Sequence, residues 1–263
     1  MQPIGIFDSG VGGLGIFNAI AQRLPHQDII YIADNNNLPF GEKTTEQLQI
    51  ITSKILKYLI TEHNVKLVVA ACNTASTSSL AYLREHFSVP IVGVVPVVKP
   101  ACEQTKTKKV AILATPFTAR SAYQQELIAK HAGDVQVISI PCPDLVGLIE
   151  AGELESPLLT QKLMEYINPA LATGVDVIGL ACTHYPFVRQ QIEKLVPPHV
   201  VIMDSNEAIA RHVERLLSDA ANQSISNTGK HIFYVTKEPL KFKRVAQKLL
   251  AQPVNNISLI SLT

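Results

Sequence analysis

Short runs of β-branched and other apolar residues recur along the chain at 4–7, 29–33, 67–71, 91–95, 110–114, 135–140, 175–181 and 200–203. Most are continuous rather than alternating, the pattern of strands covered on both faces. Helical periodicity fills the intervals. Leu14, Phe17, Ala21 and Leu24 share one face before Pro25 stops the run. Leu48, Ile51, Ile55 and Leu59 do the same after Thr44 and Gln47, which are spaced as a capping box. Further helices are predicted over 76–87, 121–131, 158–173, 187–195 and 207–217, a surface loop over 218–229, and closing elements over 231–235, 240–250 and 257–262. Strand–helix alternation of this length predicts an α/β fold with mainly parallel sheets flanked by helices.

One internal echo divides the chain. Leu67-Val68-Val69-Ala70-Ala71-Cys72-Asn73-Thr74 and Val177-Ile178-Gly179-Leu180-Ala181-Cys182-Thr183-His184 each read as an apolar strand, then Ala-Cys, then polar residues opening a helix. The offset, 182 − 72 = 110 residues, is about one domain. Two pseudo-symmetric lobes are expected, one from residues 1–95 plus 205–263 and the other from 96–204, with an active site in the cleft between them.

Composition narrows the partners. The 263 residues carry 23 Lys+Arg against 22 Asp+Glu, a net charge of +1, so no global field gathers nucleic acid or anionic lipid. The longest apolar stretch, 89–98, is broken by Pro90 and Pro96 and falls short of the ~20 residues of a membrane span. Residues 1–8 have neither a basic n-region nor a long apolar h-region, so a cytoplasmic, reducing address is expected. The four cysteines, at 72, 102, 142 and 182, form no CxxC pair, and no metal site is expected.

Two places could carry chemistry. Between the first strand and the first helix, Gly10, Gly12 and Gly15 satisfy G-x-G-x-x-G, and Asp34 stands 34 − 15 = 19 residues further on. The glycines read either as a cradle for a phosphate or carboxylate, or as a tight turn that needs glycine dihedrals. Asp8 and Ser9 just ahead shift the balance: an acid there would repel a pyrophosphate but could serve an ammonium group or orient a catalytic side chain. The second place is the pair Cys72 and Cys182, each following a buried strand and preceding a helix N-terminus that favours thiolate. Cys102, within a helix, and Cys142, between Pro141 and Pro143, read as packed hydrophobes. Disulfide redox normally uses close CxxC spacing, and a protease dyad of Cys72 with His184 leaves Cys182 idle. The reading that uses both thiols is proton transfer on opposite faces of one carbon.

The segments 7–16 (FDSGVGGLGI), Tyr31-Ile32-Ala33-Asp34, Pro39-Phe40-Gly41, 71–76 (ACNTAS), 92–101 (VGVVPVVKPA), Ala114-Thr115-Pro116-Phe117-Thr118 and 181–186 (ACTHYP) resemble glutamate racemases, in the family's order. The resemblance implies a cofactor-independent isomerase that interconverts L- and D-glutamate by two-thiol proton transfer at Cα. It also implies a supply of D-glutamate for peptidoglycan, and hence for cell wall and cell shape, and a homodimer. Cys72 and Cys182 match the catalytic acid/base cysteines, Cys72 handling the D-form and Cys182 the L-form. His184 and Asp8 match assisting catalytic positions. Substrate binding would involve Asp8, Ser9, Phe40, Gly41, Asn73, Thr74, Thr115, Thr118, Thr183 and His184, with Asp34 and Glu150 as further assisting groups. On the residues alone, Asp34 reads equally as a strand-end cap and Glu150 as a solvated helix-end charge.

The chain departs from the family at four places. Phe40 stands for a tyrosine, Ala181 for a glycine, Val97 for a smaller residue, and Asn206 where glycine is frequent. None removes a catalytic group. The alternatives are an aspartate racemase or another member of the superfamily, a dehydrogenase using NAD at Gly10–Gly15, and a non-catalytic binding protein. None of the residues singled out for the site is Arg or Lys, so anion binding would rest on amides, hydroxyls and Asn73.

Overall fold

The structure, a computed structural model, describes residues 2–218, 228–250 and 253–262. Its elements in chain order are β1 (Ile4–Asp8), α1 (Leu14–Arg23), β2 (Ile29–Ala33), α2 (Thr45–His63), β3 (Leu67–Ala70), α3 (Asn73–His86), β4 (Ile91–Gly93), α4 (Val98–Gln104), β5 (Lys109–Ala114), α5 (Pro116–Arg120) and α6 (Ala122–His131). They continue with β6 (Gln136–Pro141), α7 (Leu145–Glu150), α8 (Pro157–Leu171), β7 (Val177–Ala181), α9 (Arg189–Leu195), β8 (Val201–Met203), α10 (Asn206–Ser218), β9 (His231–Val235), α11 (Pro239–Leu249) and β10 (Ile257–Leu259). The loop expected over 218–229 lies outside the described residues except at its ends.

Contacts divide the chain into Met1–Val94 with Asn206–Thr263, and Val95–Ser205. The first unit holds a six-stranded parallel sheet ordered β10-β9-β2-β1-β3-β4. Its central strands β1, β2 and β3 are buried along their whole length, which explains their unbroken apolar runs. The chain runs from β1 to β2 on one side, then places β3 on the other side of β1. That reversal opens a crevice at the carboxyl ends of β1 and β3, where open α/β sheets bind ligands. The capping box forms as predicted: Thr44 accepts from the Gln47 amide, and the Gln47 side chain accepts from the Thr44 amide.

The second unit holds a four-stranded parallel sheet ordered β6-β5-β7-β8. Reading β5 to β8 as first to fourth, this is the 2-1-3-4 order of β2-β1-β3-β4, with its own reversal at β5 and β7. The sequence echo therefore has a topological counterpart: each cysteine follows the third strand of its unit. The edge strand β6 is only half-buried, so continuous apolar character there does not mean cover on both faces. Gly179 on β7 lets the sheet accept Val97, whose Cγ2 lies 2.6 Å from where a Cβ would stand. Val97 and Ala181 are both core residues of this unit.

Among the described residues no helix is long and apolar enough to cross a membrane. Nor, among them, does any group of three or more His, Cys, Asp or Glu residues offer a metal site.

Candidate active site

In the first unit the crevice brings Asp8, Asp34 and Cys72 to adjacent strand ends. Asp8 closes β1, the Asp34 amide donates to the Asp8 carbonyl at 2.9 Å, and the Ala71 amide donates to the Phe7 carbonyl at 2.8 Å. The glycine loop then turns back on Asp8. Its Oδ2 accepts from the amides of Gly10 at 3.3 Å and Gly13 at 3.0 Å, while the Tyr31 hydroxyl donates to the Gly10 carbonyl at 2.8 Å. A Cβ on Gly13 would lie 2.9 Å from the Asp8 Cβ and 3.0 Å from that of Ala71, so only glycine permits this approach. Two amides that could cradle an external anion are thus committed to the protein's own carboxylate. The dinucleotide reading loses its main support here.

Cys72 is the N-cap of α3, so Asn73 and Thr74 form the first turn of a helix that begins three residues earlier than its apolar pattern suggests. The N-terminal end of a fourteen-residue helix favours negative charge beside it. Ser9, Cys72, Asn73 and Thr74 are all buried, and Asn73 Nδ2 has no hydrogen-bond partner among the described residues. Phe40 is buried in a short 3-10 turn, Phe40–Glu42, that packs near α3, with Gly41 half-buried beside it. Asp34 is fully buried, and burial pushes its carboxyl above the ordinary range against the opposing hydrogen bonds from Thr236 and Asn37.

In the second unit, Thr115, Cys142 and Cys182 follow three neighbouring strand ends, since Ala114 pairs with both Pro141 and Ala181. No α-helix begins at Cys182. The Tyr185 amide donates to the Cys182 carbonyl at 3.1 Å, and a 3-10 turn, Tyr185–Val188, leads into the short α9. This is a departure from the expected equivalence with Cys72. The turn presents His184 instead: its Nδ1 lies 3.8 Å from Cys182 Sγ, and its Nε2 lies 2.7 Å from Glu150 Oε1. Glu150 ends α7 as a helix-end charge, yet it is 5% exposed, which corrects the solvated reading. A carboxylate accepts only, so it directs an Nε2 proton toward itself and turns Nδ1 to the sulfur.

Thr183 is buried, and its Oγ1 has no hydrogen-bond partner among the described residues. Thr115 caps α5 by accepting from the Thr118 amide at 3.2 Å, and its hydroxyl lies 3.2 Å from that of Thr118. Thr115 and Thr118 thus sit at the start of a five-residue helix, Pro116–Arg120. Sequence reasoning missed the surroundings of Cys182 contributed by Tyr185 and Cys142. Tyr185 is fully buried, and its hydroxyl donates to the Cys142 carbonyl at 3.0 Å. The signal was present in the ACTHYP segment, where Tyr185 follows His184 directly.

A family model described as Asp/Glu/Hydantoin racemase matches residues 15–213. The glutamate racemase of Herpetosiphon aurantiacus is 45% identical over 249 residues, covering 94% of this chain and 98% of that protein. A Francisella tularensis glutamate racemase solved in complex with D-glutamate superposes with a TM-score of 0.86 at 30% identity, over 99% of this chain and 98% of that one. The Escherichia coli glutamate racemase, solved with L-glutamate and the activator UDP-MurNAc-Ala, gives a TM-score of 0.85 at 33% identity, over 95% and 96% of the two chains. The chain belongs to the Asp/Glu/hydantoin racemase family and, within it, to the glutamate racemases.

Proposed function

We propose that this racemase interconverts L- and D-glutamate without a cofactor, with Cys72 and Cys182 as its two acid/base groups. The observation that carries the reading is the buried chain Cys182–His184–Glu150, which gives one strand-end thiol a proton partner. Cys102, within α4, has no such partner among the described residues, and burial pushes its thiol up.

The reaction balances as one proton removed and one returned. Starting from L-glutamate, the Cys182 thiolate takes the Cα proton and leaves a carbanion at Cα, its charge shared with the adjoining carboxylate. The Cys72 thiol then gives its proton to the opposite face. The product is D-glutamate on an enzyme with Cys182 protonated and Cys72 ionised, the form that accepts D-glutamate in the reverse direction. This reading requires the two thiols to meet opposite faces of one carbon. Asp8 suits the substrate ammonium. The unpaired Asn73 amide and Thr183 hydroxyl suit its carboxylates, since buried polar atoms are costly unless a ligand satisfies them. D-Glutamate made this way would serve peptidoglycan synthesis, and the dimeric state belongs to the same family-based reading.

The test incubates each enantiomer with enzyme in deuterated water, following rotation by circular dichroism and Cα deuterium by NMR. The expected early product carries deuterium at Cα while the remaining substrate keeps protium, because each thiol exchanges with solvent between turnovers. Racemisation without Cα exchange from either enantiomer would sink the two-thiol mechanism.

A further inference from the structure

Cys142 and Tyr185 have no part in the scheme above, yet both sit against its second thiol. With β5 lying between β6 and β7, Cys142 and Cys182 follow strands two spacings apart, roughly 9.5 Å. That exceeds the ~7 Å limit on Cα separation in a disulfide, so the two sulfurs are not a redox pair. Tyr185 bridges the gap. The Cys182–Tyr185 backbone bond closes a turn just after the strand end, and the Tyr185 ring is fully buried. Its hydroxyl donates to the Cys142 carbonyl at 3.0 Å, and the Cys182 side chain is near enough to act on the same hydroxyl as a second acceptor.

A hydroxyl has one proton and these are two acceptors. The carbonyl is a constant acceptor, whereas sulfur is a weak one as thiol and a strong one as thiolate. We infer that Tyr185 is a positioning residue whose hydroxyl donates to the Cys142 carbonyl while Cys182 is protonated and turns to the Cys182 sulfur when it ionises. The inference rests on the two-thiol reading for its catalytic meaning. Burial holds the phenol well above its ordinary range, with the Cys182 and Cys142 sulfurs adding to the effect, so Tyr185 keeps its proton and acts only as a donor. His184 and Tyr185 would then flank one sulfur, His184 exchanging its proton and Tyr185 stabilising its charge.

The test is Tyr185→Phe, which removes only the hydroxyl. Iodoacetamide alkylation is followed against pH, with Cys182 and Cys72 quantified separately by peptide mass spectrometry. The pH midpoint for Cys182 is expected to rise by about one unit, the effect of one lost hydrogen bond to a charged atom. The Cys72 midpoint should stay in place. Turnover at neutral pH should fall about tenfold and recover as pH rises, with KM for glutamate within about twofold. Cys142→Ala keeps the backbone carbonyl, so it should leave the Cys182 midpoint where it was. Should Tyr185→Phe fail to fold, 3-fluorotyrosine at position 185, a stronger donor of nearly the same shape, should lower the midpoint. A Cys182 midpoint unmoved by the folded substitution overturns the inference. Alkylation needs no substrate, so a shifted midpoint beside a failed exchange experiment would overturn the racemisation reading alone.

Discussion

The Thr236 hydroxyl donates to Asp34 Oδ1 at 2.8 Å, joining the end of β2 to the residue after β9 across 202 positions of sequence. Asn37 Nδ2 holds the other carboxylate oxygen at 2.9 Å. These bonds favour the charged form, but burial outweighs them and raises the carboxyl. In the interval between its unfolded and folded titrations, the native state binds more protons than the unfolded chain. Stability from this group is therefore greatest at low pH and lost as pH rises through the raised value. Asp34→Asn can keep both contacts, its Oδ1 accepting from Asn37 and its amide donating to Thr236. It should raise Tm at pH 7 by about 2 °C or more, with the gain vanishing near pH 4. Calorimetry across that range checks the sign.

Asp176 should behave in the opposite way. Its carboxylate accepts from the amides of Lys106 at 2.7 Å and Thr107 at 3.1 Å, and from the hydroxyls of Thr105 and Thr107. Burial acts to raise its carboxyl, yet the four bonds together hold it below the ordinary range. Its contribution is fully present above the unfolded value and disappears as pH falls through the lowered one. Asp176→Asn should lower Tm at pH 7 by about 4–8 °C, with the deficit narrowing below about pH 4. A deficit independent of pH would show that shape rather than charge matters here.

Asp8 separates folding from chemistry. Asp8→Ala leaves the buried amides of Gly10 and Gly13 without their acceptor, a loss of roughly 2–4 kcal/mol. Asp8→Asn retains an acceptor oxygen for both amides and removes the charge. The Asn variant should keep Tm within about 2 °C of the parent and still lose at least about tenfold in kcat/KM. Thermal melts paired with initial rates distinguish the two effects.

Glu150→Gln tests the proposed relay behind Cys182. The amide preserves size but replaces a charge-assisted bond to His184 with a neutral one, so kcat should fall about 10–100-fold. KM should change little, because Glu150 is placed behind His184. Equal loss in KM alone would mean that Glu150 serves binding.

The parts of the fold that read clearly from sequence are those with enough residues to show a period. The buried strands β1, β3 and β7 are unbroken apolar runs, and the capping box at Thr44 and Gln47 marks the start of α2. Helices α5 and α7, with five and six residues, are too short to declare one. The start of α3 is hidden for another reason: Asn73 and Thr74 are polar yet buried, so hydropathy places them outside the helix. At the candidate site, Asp8, Cys72 and Cys182 stand out because each ends a strand. The pairing of His184 with Glu150 bridges 34 residues, and that of Tyr185 with Cys142 bridges 43. Such partnerships are set by which strands lie side by side, and flanking prolines make Cys142 look like packing.

The differing surroundings of Cys72 and Cys182 have a kinetic consequence. One cysteine caps a long helix; the other ends a strand beside an imidazole and a phenol. In the proposed reaction the substrates are mirror images, but the two thiols that would serve them are not. Glutamate enantiomers have equal free energy in water, so the Haldane relation fixes the ratio of kcat/KM in the two directions at unity. Unequal thiols cannot favour one enantiomer overall. Any difference between them must appear in kcat and KM together, with the direction that turns over faster also showing the proportionally higher KM.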